Sequence, residues 1–287
     1  MSRLAIFVLL AHPLLAETGY SAWLRYAPLD EPAARPYHDT LPPVITAIGN
    51  APTISSARDE LIRGVRGMLT RTLRIEPAVP AGSAILLGTL DDLRRAAPRL
   101  GLAGSLGPDA FLLKTVRSAN SRYLVIAGGD GRGVLYGAFA LLRKIATGDP
   151  IDNLDEQQTP YAPVRWVNHW DNLNGSIERG YGGRSIFWEA DHVREDLTRV
   201  NDYGRLLASL GINGCSINNV NADRRVISPE YLPQIARIAA AFRPWGVRIA
   251  VSIVIIKGIV FSHRDHLRGC CHRRFLDRCL EVRGERT

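Results

Sequence analysis

Residues 164–188, VRWVNHWDNLNGSIERGYGGRSIFW, are the most informative segment for the fold and function of this chain. The segment holds three of the five tryptophans of the 287-residue chain, and an asparagine lies on each side of its His-Trp-Asp run. Aromatic rings pack against the C–H faces of a pyranose, and amide and carboxylate groups hydrogen-bond to its hydroxyls. These residue types favour a sugar-binding site; a tryptophan-rich core strand followed by a polar turn is the alternative.

Strand-like and helix-like segments alternate from this stretch onward. Strands are predicted over 164–169, 212–217 and 247–253, and helices over 192–210 and 229–242. This order is typical of a parallel α/β structure and matches the start of a TIM (β/α)8 barrel. Such a barrel takes eight strand–helix units in about 250 residues. Because only about half of that length follows position 163, we expect residues 164–254 to form the first strands and helices of a barrel that does not close within this chain.

The preceding part of the chain predicts a smaller α/β domain over residues 17–147. Its strands are predicted over 83–88, 110–116 and 122–127, and its helices over 56–73 and 133–145. Ser56 and Asp59 form a capping-box pattern, which favours a helix start at Ser56. Residues 148–163 are rich in Asp, Gln and Pro, and we interpret them as the linker between the two domains.

The two ends of the chain differ in composition from its body. Residues 1–16 resemble an export signal, because Arg3 precedes an apolar run and Ala16 provides a cleavage point; a buried first strand is the alternative. Arg, Cys and His rise together in residues 255–287, which is typical of an out-of-frame reading of GC-rich coding sequence. We therefore expect an anomalous tail after a truncation or frameshift near Ser252, with a divergent helix as the alternative.

Composition argues against two classes of function. The chain carries a net charge of +8, but residues 255–287 hold eight Lys or Arg against four Asp or Glu and so contribute half of it. No RNA-binding aromatic motif accompanies these charges, so we expect no nucleic-acid partner. The apolar run near the N-terminus is too short to cross a bilayer, so we expect no membrane span.

Two motifs suggest cofactors, and neither has the required spacing. The turn GGDGRG, residues 128–133, follows a predicted strand and opens a helix, as a dinucleotide-binding loop does. A G-x-G-x-x-G pattern that starts at Gly129 needs a glycine where Val134 stands. Cys270 and Cys271 lie near three histidines, but no C-x-x-C pair accompanies them to form a zinc site. We therefore expect neither a metal ion nor an organic cofactor.

The run HWDNLNGSIERGYGGRSIF closely resembles a signature of the family 67 glycoside hydrolases. These are α-glucuronidases, which remove glucuronic acid or its 4-O-methyl ether from xylan fragments. The run IAGGDGRGVLYGAF resembles the N-terminal α/β domain that accompanies several glycosidase families, and the resemblance extends over about residues 17–252. It implies an inverting, cofactor-free hydrolase that acts on glucuronic-acid-substituted xylooligosaccharides. Together with the signal-like residues 1–16, it predicts an exported enzyme, periplasmic or extracellular, whose full-length form is expected as a homodimer.

Candidate pocket residues follow the first two predicted barrel strands. The run NHWDN ends the first strand and INNVN ends the second, and TIM-barrel active sites form at these carboxyl ends. By resemblance, Trp170 walls the uronic-acid pocket and Val220 lies near the 4-O-methyl group of the sugar. His169, Asp171 and Asn219 are further candidates for pocket contacts, or else support the pocket from behind.

No catalytic residue is assigned in this chain. Inverting glycoside hydrolysis needs two carboxyl groups about 6.5–9.5 Å apart, one as acid and one as base. Asp171, Glu178 and Asp191 are the acidic residues of the signature region, and none matches the acid or the base of the family. We therefore expect the chain to be an inactive N-terminal part of an α-glucuronidase. A carbohydrate-binding module without catalysis is the alternative function, and a nucleotide-dependent oxidoreductase is a third.

Overall fold

The computed structural model describes residues 24–118, 121–221 and 223–252, so the predictions of an export signal over 1–16 and of an anomalous tail over 255–287 lie outside the described residues. The first part of the described chain forms a mixed α/β domain. Its strands are β1 (Val44–Ile48), β2 (Arg74–Ile75), β3 (Ala84–Thr89), β4 (Phe111–Ser118), β5 (Ser121–Gly128) and β6 (Asp155–Gln158). Its helices are α1 (Glu31–Thr40), α2 (Pro52–Leu69), α3 (Leu90–Ala96) and α4 (Gly131–Thr147).

These six strands form one sheet in the order β2-β1-β3-β5-β4-β6. Strands β2, β1, β3 and β5 pair in parallel, and β4 pairs antiparallel with both β5 and β6. Side chains alternate between the two faces of the sheet, as the pleat requires. Ile85 and Leu87 pack in one buried cluster with residues of α2 and α4, whereas Ala84 and Leu86 pack in a second cluster with residues of α3. Both faces of this sheet are therefore covered.

Strand β6 corrects the predicted linker 148–163. It pairs with β4 from Phe111 to Lys114, so residues 155–158 form the edge of the first sheet. Lys114 Nζ lies 2.9 Å from a carboxylate oxygen of Asp155. The sequence DEQQ lacks apolar alternation because an edge strand can expose both faces and its charges discourage pairing with another chain.

The second part of the chain begins a parallel α/β structure. Its strands are β7 (Trp166–Asn168), β8 (Trp188–Glu189), β9 (His192–Val193), β10 (Gly214–Ser216) and β11 (Arg248–Ala250), and its helices are α5 (Thr198–Ser209) and α6 (Leu232–Phe242). Strands β11, β10 and β7 form a parallel sheet in that order, with Val167, Cys215 and Ile249 in register. The predicted strand–helix alternation is confirmed, and the described residues contain no closed barrel.

The starts of α2 and α5 differ most from the sequence-based predictions, and α4 and α6 begin within three residues of theirs. Helix α2 begins at Pro52, with Ala51 as its N-cap and no side-chain cap, so the capping box predicted at Ser56 is wrong. Proline at the first turn presets the helical φ angle and has no N–H to leave unpaired. Helix α5 begins at Thr198 rather than at position 192, because β8 and β9 pair as a short hairpin just before it.

A buried ion pair joins the two parts of the chain. The Arg205 guanidinium, on α5, donates to both carboxylate oxygens of Glu60, on α2, over 2.6–3.0 Å. Glu60 is 1% exposed and also accepts the Tyr26 hydroxyl over 2.6 Å. Burial and the charge of Glu60 raise the pKa of Tyr26, which keeps this phenol protonated as a donor.

A second buried carboxylate reinforces this junction. Asp109, which precedes β4, accepts bonds from Arg165 and Asn213 of the second part and from Arg132 of α4 over 2.6–3.0 Å. Burial alone would raise the pKa of Asp109, but these three side-chain donors outweigh it and hold the pKa below its usual value. The two clusters fix the second part of the chain against the first domain, and so they position the carboxyl ends of β7 and β10.

Candidate carbohydrate-binding site

The carboxyl ends of β7 and β10 lie side by side. Asn168, the last residue of β7, is in register with Ser216, the last residue of β10, and the Ser216 hydroxyl donates to Asn168 Oδ1. Beyond the strands, the Asn219 N–H donates to the Asp171 carbonyl over 2.7 Å. Polar groups therefore gather at the edge of the sheet where TIM-barrel active sites form.

Asn218 ties this edge to the third strand. Its Nδ2 donates to the Ser252 carbonyl and its Oδ1 accepts the Ser252 N–H, each over 2.8 Å. Asn218 is 0% exposed, and its side-chain amide both donates a hydrogen bond to the backbone and accepts one from it. It holds the strand ends together and is not available to a ligand.

Residues 170–184 form a small antiparallel structure, called the 170–184 ribbon below. Two isolated bridges define it, Asp171 with Ile177 and Ser176 with Arg184. The Glu178 N–H donates to the Trp170 carbonyl over 2.9 Å, and the Ser185 N–H donates to the Gly175 carbonyl over 2.9 Å. Gly175 has φ +89°, which a hairpin turn after Asn requires and which glycine adopts without strain. The ribbon is therefore a fixed feature of the edge.

Trp170 and Glu178 lie opposite each other in the pairing of the ribbon. Trp170 is 43% exposed. Glu178 has φ +54°, a conformation held by its own N–H bond and by Asn172 Nδ2, which donates to its carbonyl over 2.8 Å. Its Oε2 is buried without a hydrogen-bond partner among the described residues.

Neither Glu178 nor Tyr181, which is 79% exposed on the same ribbon, was predicted to be a pocket contact from the sequence. A signal for the ribbon was present. The pair Asn174-Gly175 is a strong hairpin signal, but a two-residue loop there would set Glu178 opposite Asp171, whereas the observed loop is one residue longer and sets Glu178 opposite Trp170.

The three tryptophans of the signature have different environments. Trp188 is fully buried, and its Nε1 donates to the Ile217 carbonyl over 2.7 Å. Trp166 packs so closely over Gly214 that a Cβ there would lie 2.2 Å from the indole ring. Only Trp170 of the three is exposed. The alternative of a tryptophan-rich core thus describes Trp188, Trp166 is partly buried, and the pocket prediction concerns Trp170.

His169 lies against helix α5. Its Nε2 is 2.9 Å from the Tyr203 hydroxyl, and its ring makes edge-to-face contacts with Phe187 and Tyr203. Asp171 is 1% exposed, and its Oδ1 lies 3.5 Å from His169 Nδ1 with no hydrogen-bond partner among the described residues. Asp171 is buried and His169 packs against Tyr203 and Phe187, which favours the supporting role among the two roles predicted for them.

The buried carboxylate of Asp171 affects the groups packed around it. Burial, followed by the charges of Cys215 and Asp171, raises the pKa of Tyr203 to about 12. Burial and the charge of Asp171 raise the pKa of Cys215 to about 12. Tyr203 therefore stays a neutral phenol beside His169, and Cys215 stays an unreactive thiol in the core.

The second strand contributes Asn219 and Val220. Asn219 is 8% exposed, and its Oδ1 accepts the Asn221 N–H over 2.9 Å. Val220 is partly buried at the same edge. The structure thus brings all five predicted site residues to one end of the sheet, and their contacts with a sugar stay predictions.

The glycine turn that resembled a nucleotide-binding loop has a packing role. A Cβ at Gly129 would lie 1.9 Å from the Gly107 carbonyl oxygen, so only glycine fits there. The Asp130 carboxylate accepts the Gly133 N–H over 2.8 Å and caps α4. Carboxylate and backbone already occupy the helix start that a phosphate would need. Within the described ranges, no three His, Cys, Asp or Glu side chains come together as a metal site, and no helix is long and apolar enough to cross a membrane.

Two family models match the chain in succession. The glycosyl hydrolase family 67 N-terminus matches residues 22–141, and the glycosyl hydrolase family 67 middle domain matches residues 144–267. The chain belongs to glycosyl hydrolase family 67. The second match ends inside the segment 255–287 that was predicted as an anomalous tail.

Curated relatives agree with this assignment. The chain is 42% identical over 243 residues to a probable alpha-glucuronidase A of Aspergillus oryzae, covering 83% of this chain and 28% of that one. It is 39% identical over 266 residues to alpha-glucuronidase A of Emericella nidulans, covering 88% and 30%. It is 42% identical over 254 residues to an alpha-glucuronidase of Hypocrea jecorina, covering 84% and 29%. The family 67 chain described here thus spans less than a third of the length of these relatives.

A solved glycoside hydrolase shares the fold. The structure of BtGH115A, a family GH115 4-O-methyl-alpha-glucuronidase with specificity for decorated arabinogalactans, superposes with a TM-score of 0.52 over 73% of this chain and 28% of that one. The two sequences are 20% identical, so the likeness concerns the fold alone. It agrees with a mixed α/β chain whose parallel strands begin a TIM barrel.

Proposed function

We propose that this chain is the N-terminal part of an α-glucuronidase that releases glucuronic acid or its 4-O-methyl ether from substituted xylooligosaccharides. The observation that supports the proposal most is the exposed Trp170, held by the 170–184 ribbon at the carboxyl edge of β7 and β10 in a family 67 chain. Its ring would pack against the C–H face of the uronic acid. Val220, at the end of the neighbouring strand, would contact the 4-O-methyl group.

The chemistry of the proposed enzyme is inversion by two carboxyl groups. The carboxylates closest to the edge are Asp171 and Glu178, and each has an oxygen that is sealed from solvent. A general acid must reach the glycosidic oxygen and a general base must reach a water on the opposite face of the sugar. Neither residue matches the acid or the base of the family, and Asp171 is 1% exposed, so we place the catalytic pair on later barrel strands. The chain alone would then bind the sugar without hydrolysing it.

The proposed enzyme is exported, acts as a homodimer in its full-length form and needs no cofactor. Export follows from the N-terminal sequence pattern and from the polymeric origin of the substrate. A carbohydrate-binding module without catalysis is the second candidate, and the exposed Trp170 in a polar surrounding favours it equally. Hydrolysis by a protein that continues beyond β11 distinguishes the two.

The test measures release of uronic acid from 4-O-methylglucuronyl xylotriose by the purified chain and by a version extended with the family sequence beyond Ser252. We expect no turnover by the chain and turnover by the extension, because an acid and a base each contribute about 10²–10⁴-fold. Proton NMR of the fresh product would show the β-anomer if the reaction inverts. Turnover by the chain alone that survives repeated purification would contradict the proposed division of roles. A folded extension without turnover would support the binding module.

A further inference from the structure

Tyr181 is the most exposed aromatic residue on the 170–184 ribbon. It lies between Gly180 and Gly182, with 79% of its surface exposed. The Gly180 N–H donates to the Ile177 carbonyl over 2.9 Å, and a Cβ at Gly182 would lie 2.8 Å from Ile177 Cγ2. The backbone on both sides of Tyr181 is thus fixed on Ile177, and the tyrosine is displayed on a defined turn.

The base of the ribbon is anchored in the protein. Leu173 is 5% exposed, and the Asp191 N–H donates to its carbonyl over 2.9 Å. Ser185 is 3% exposed, and its hydroxyl accepts the N–H groups of Phe187 and Trp188 over 3.0 Å. A residue displayed on such a support loses little conformational freedom when a ligand binds.

The same ribbon concentrates features that cost free energy. Glu178 has a left-handed backbone and a buried carboxylate oxygen without a partner among the described residues, and Trp170 opposite it is 43% exposed. Strained backbone of this kind persists where the surrounding structure enforces it, and it clusters at ligand-binding sites. A single exposed tyrosine is ordinary on a protein surface. An exposed tyrosine on the ribbon that carries Trp170 and this strain is better explained by a ligand.

We propose that Tyr181 is a second sugar-contacting residue, which packs against the xylose ring attached to the uronic acid. The inference rests on the proposed function, which places the uronic acid on Trp170. Tyr181 is more exposed than Trp170 on the same ribbon, which suits a contact with the part of the ligand that leaves the pocket. Tyrosine offers both an apolar ring face and a hydroxyl, which suits a pyranose that is partly in water.

Charged groups around Tyr181 do not determine this contact. The ribbon carries Glu178, Arg179 and Arg184, and Arg179 Nε lies 3.8 Å from a Glu178 carboxylate oxygen. Xylose is neutral, so its packing on a tyrosine ring should depend little on ionic strength, whereas recognition of the uronate should weaken in salt. The two rings of one ligand are therefore distinguishable by experiment.

The experiment is saturation-transfer NMR of the full chain with 4-O-methylglucuronosyl xylobiose and, separately, with free glucuronic acid. In the wild type we expect saturation of both the uronic acid and the adjoining xylose. In Tyr181→Ala we expect the xylose signals to fall, affinity for the trisaccharide to drop on the order of fivefold, and binding of free glucuronic acid to stay unchanged. Tyr181→Phe should keep the wild-type pattern because it keeps the ring.

Tyr161→Ala is the matched control. Tyr161 is fully exposed, but it precedes β7 and so lies at the opposite end of that strand. We expect this variant to behave as wild type. Circular dichroism checks that each variant is folded. Because Tyr181 is exposed, we expect its replacement to leave the fold intact.

Each outcome has a distinct meaning. If Tyr181→Ala leaves the xylose signals at wild-type strength while Trp170→Ala removes the uronic-acid signals, the role of Tyr181 is wrong and the proposed function stands. If Tyr161→Ala has the same effect as Tyr181→Ala, the contact is nonspecific and the role is also wrong. If the wild type saturates neither ring, the proposed sugar site fails and this inference fails with it.

Discussion

The two sheets of the molecule differ in how completely they are buried. In the first sheet, five of the six residues of β3 and six of the eight residues of β5 are buried, with helices on both faces. In the second sheet only the central strand β10 is fully buried, and no residue of β7 or β11 is. Because apolar burial is the main source of folding free energy, the first sheet carries most of the stability, while the second leads to the exposed groups for which we propose sugar binding. The buried carboxylates Glu60 and Asp109 connect the two parts of the chain through Arg205 and Arg165.

The largest expected effect comes from the junction. Glu60→Ala would leave the Arg205 guanidinium buried without its carboxylate, and breaking a buried pair in this way costs about 3–5 kcal/mol. Urea unfolding followed by circular dichroism gives the change in the free energy of unfolding. Glu31→Ala is the control, because the Glu31–Arg35 pair is exposed and should contribute less than about 1 kcal/mol. Equal effects of the two substitutions would mean that the junction does not stabilise the second sheet.

Hydrogen exchange tests the comparison of the two sheets directly. We expect backbone amides of β3 and β5 to exchange at least about 100-fold more slowly than those of β7 and β11, because opening free energies follow burial and contact density. Mass spectrometry of peptides, or NMR where resonances are assigned, measures these rates. Uniform slow exchange across residues 164–252 in a monomer would show that the second sheet is as stable as the first, and would contradict the comparison.

The smallest effect is confined to low pH and concerns Asp109. Its pKa in the folded protein is depressed, so its stabilisation is fully present above the unfolded-state value of about 3.9 and is lost as the pH falls through the folded value. The difference in unfolding free energy between wild type and Asp109→Asn should be constant from pH 7 to 5 and should shrink below about pH 4. Urea midpoints across this range measure it. A difference that persists unchanged to about pH 2 would exclude Asp109 as the titrating group.

Local patterns predicted much of the fold. Strand β3, helix α4 and the alternating strands and helices of the second part follow from apolar periodicity, and the glycosidase signature identified the family from a run of about twenty residues. The candidate site was predicted as far as its location at the strand ends. Which side chains face a ligand was not, since Trp166 and Trp188 have the same residue type as Trp170 but are packed by Gly214 and Ile217, which are distant in sequence.

The sequence by itself determined where the apolar strands and helices lie and which family the chain joins, because both depend on residues that are close along the chain. Tertiary structure alone decided that residues 155–158 complete the first sheet, that His169 lies against Tyr203, and that Glu60 pairs with Arg205. The last contact joins residues separated by 145 positions. A polar side chain has several partners of equal chemistry, and only the packing of distant elements selects one of them.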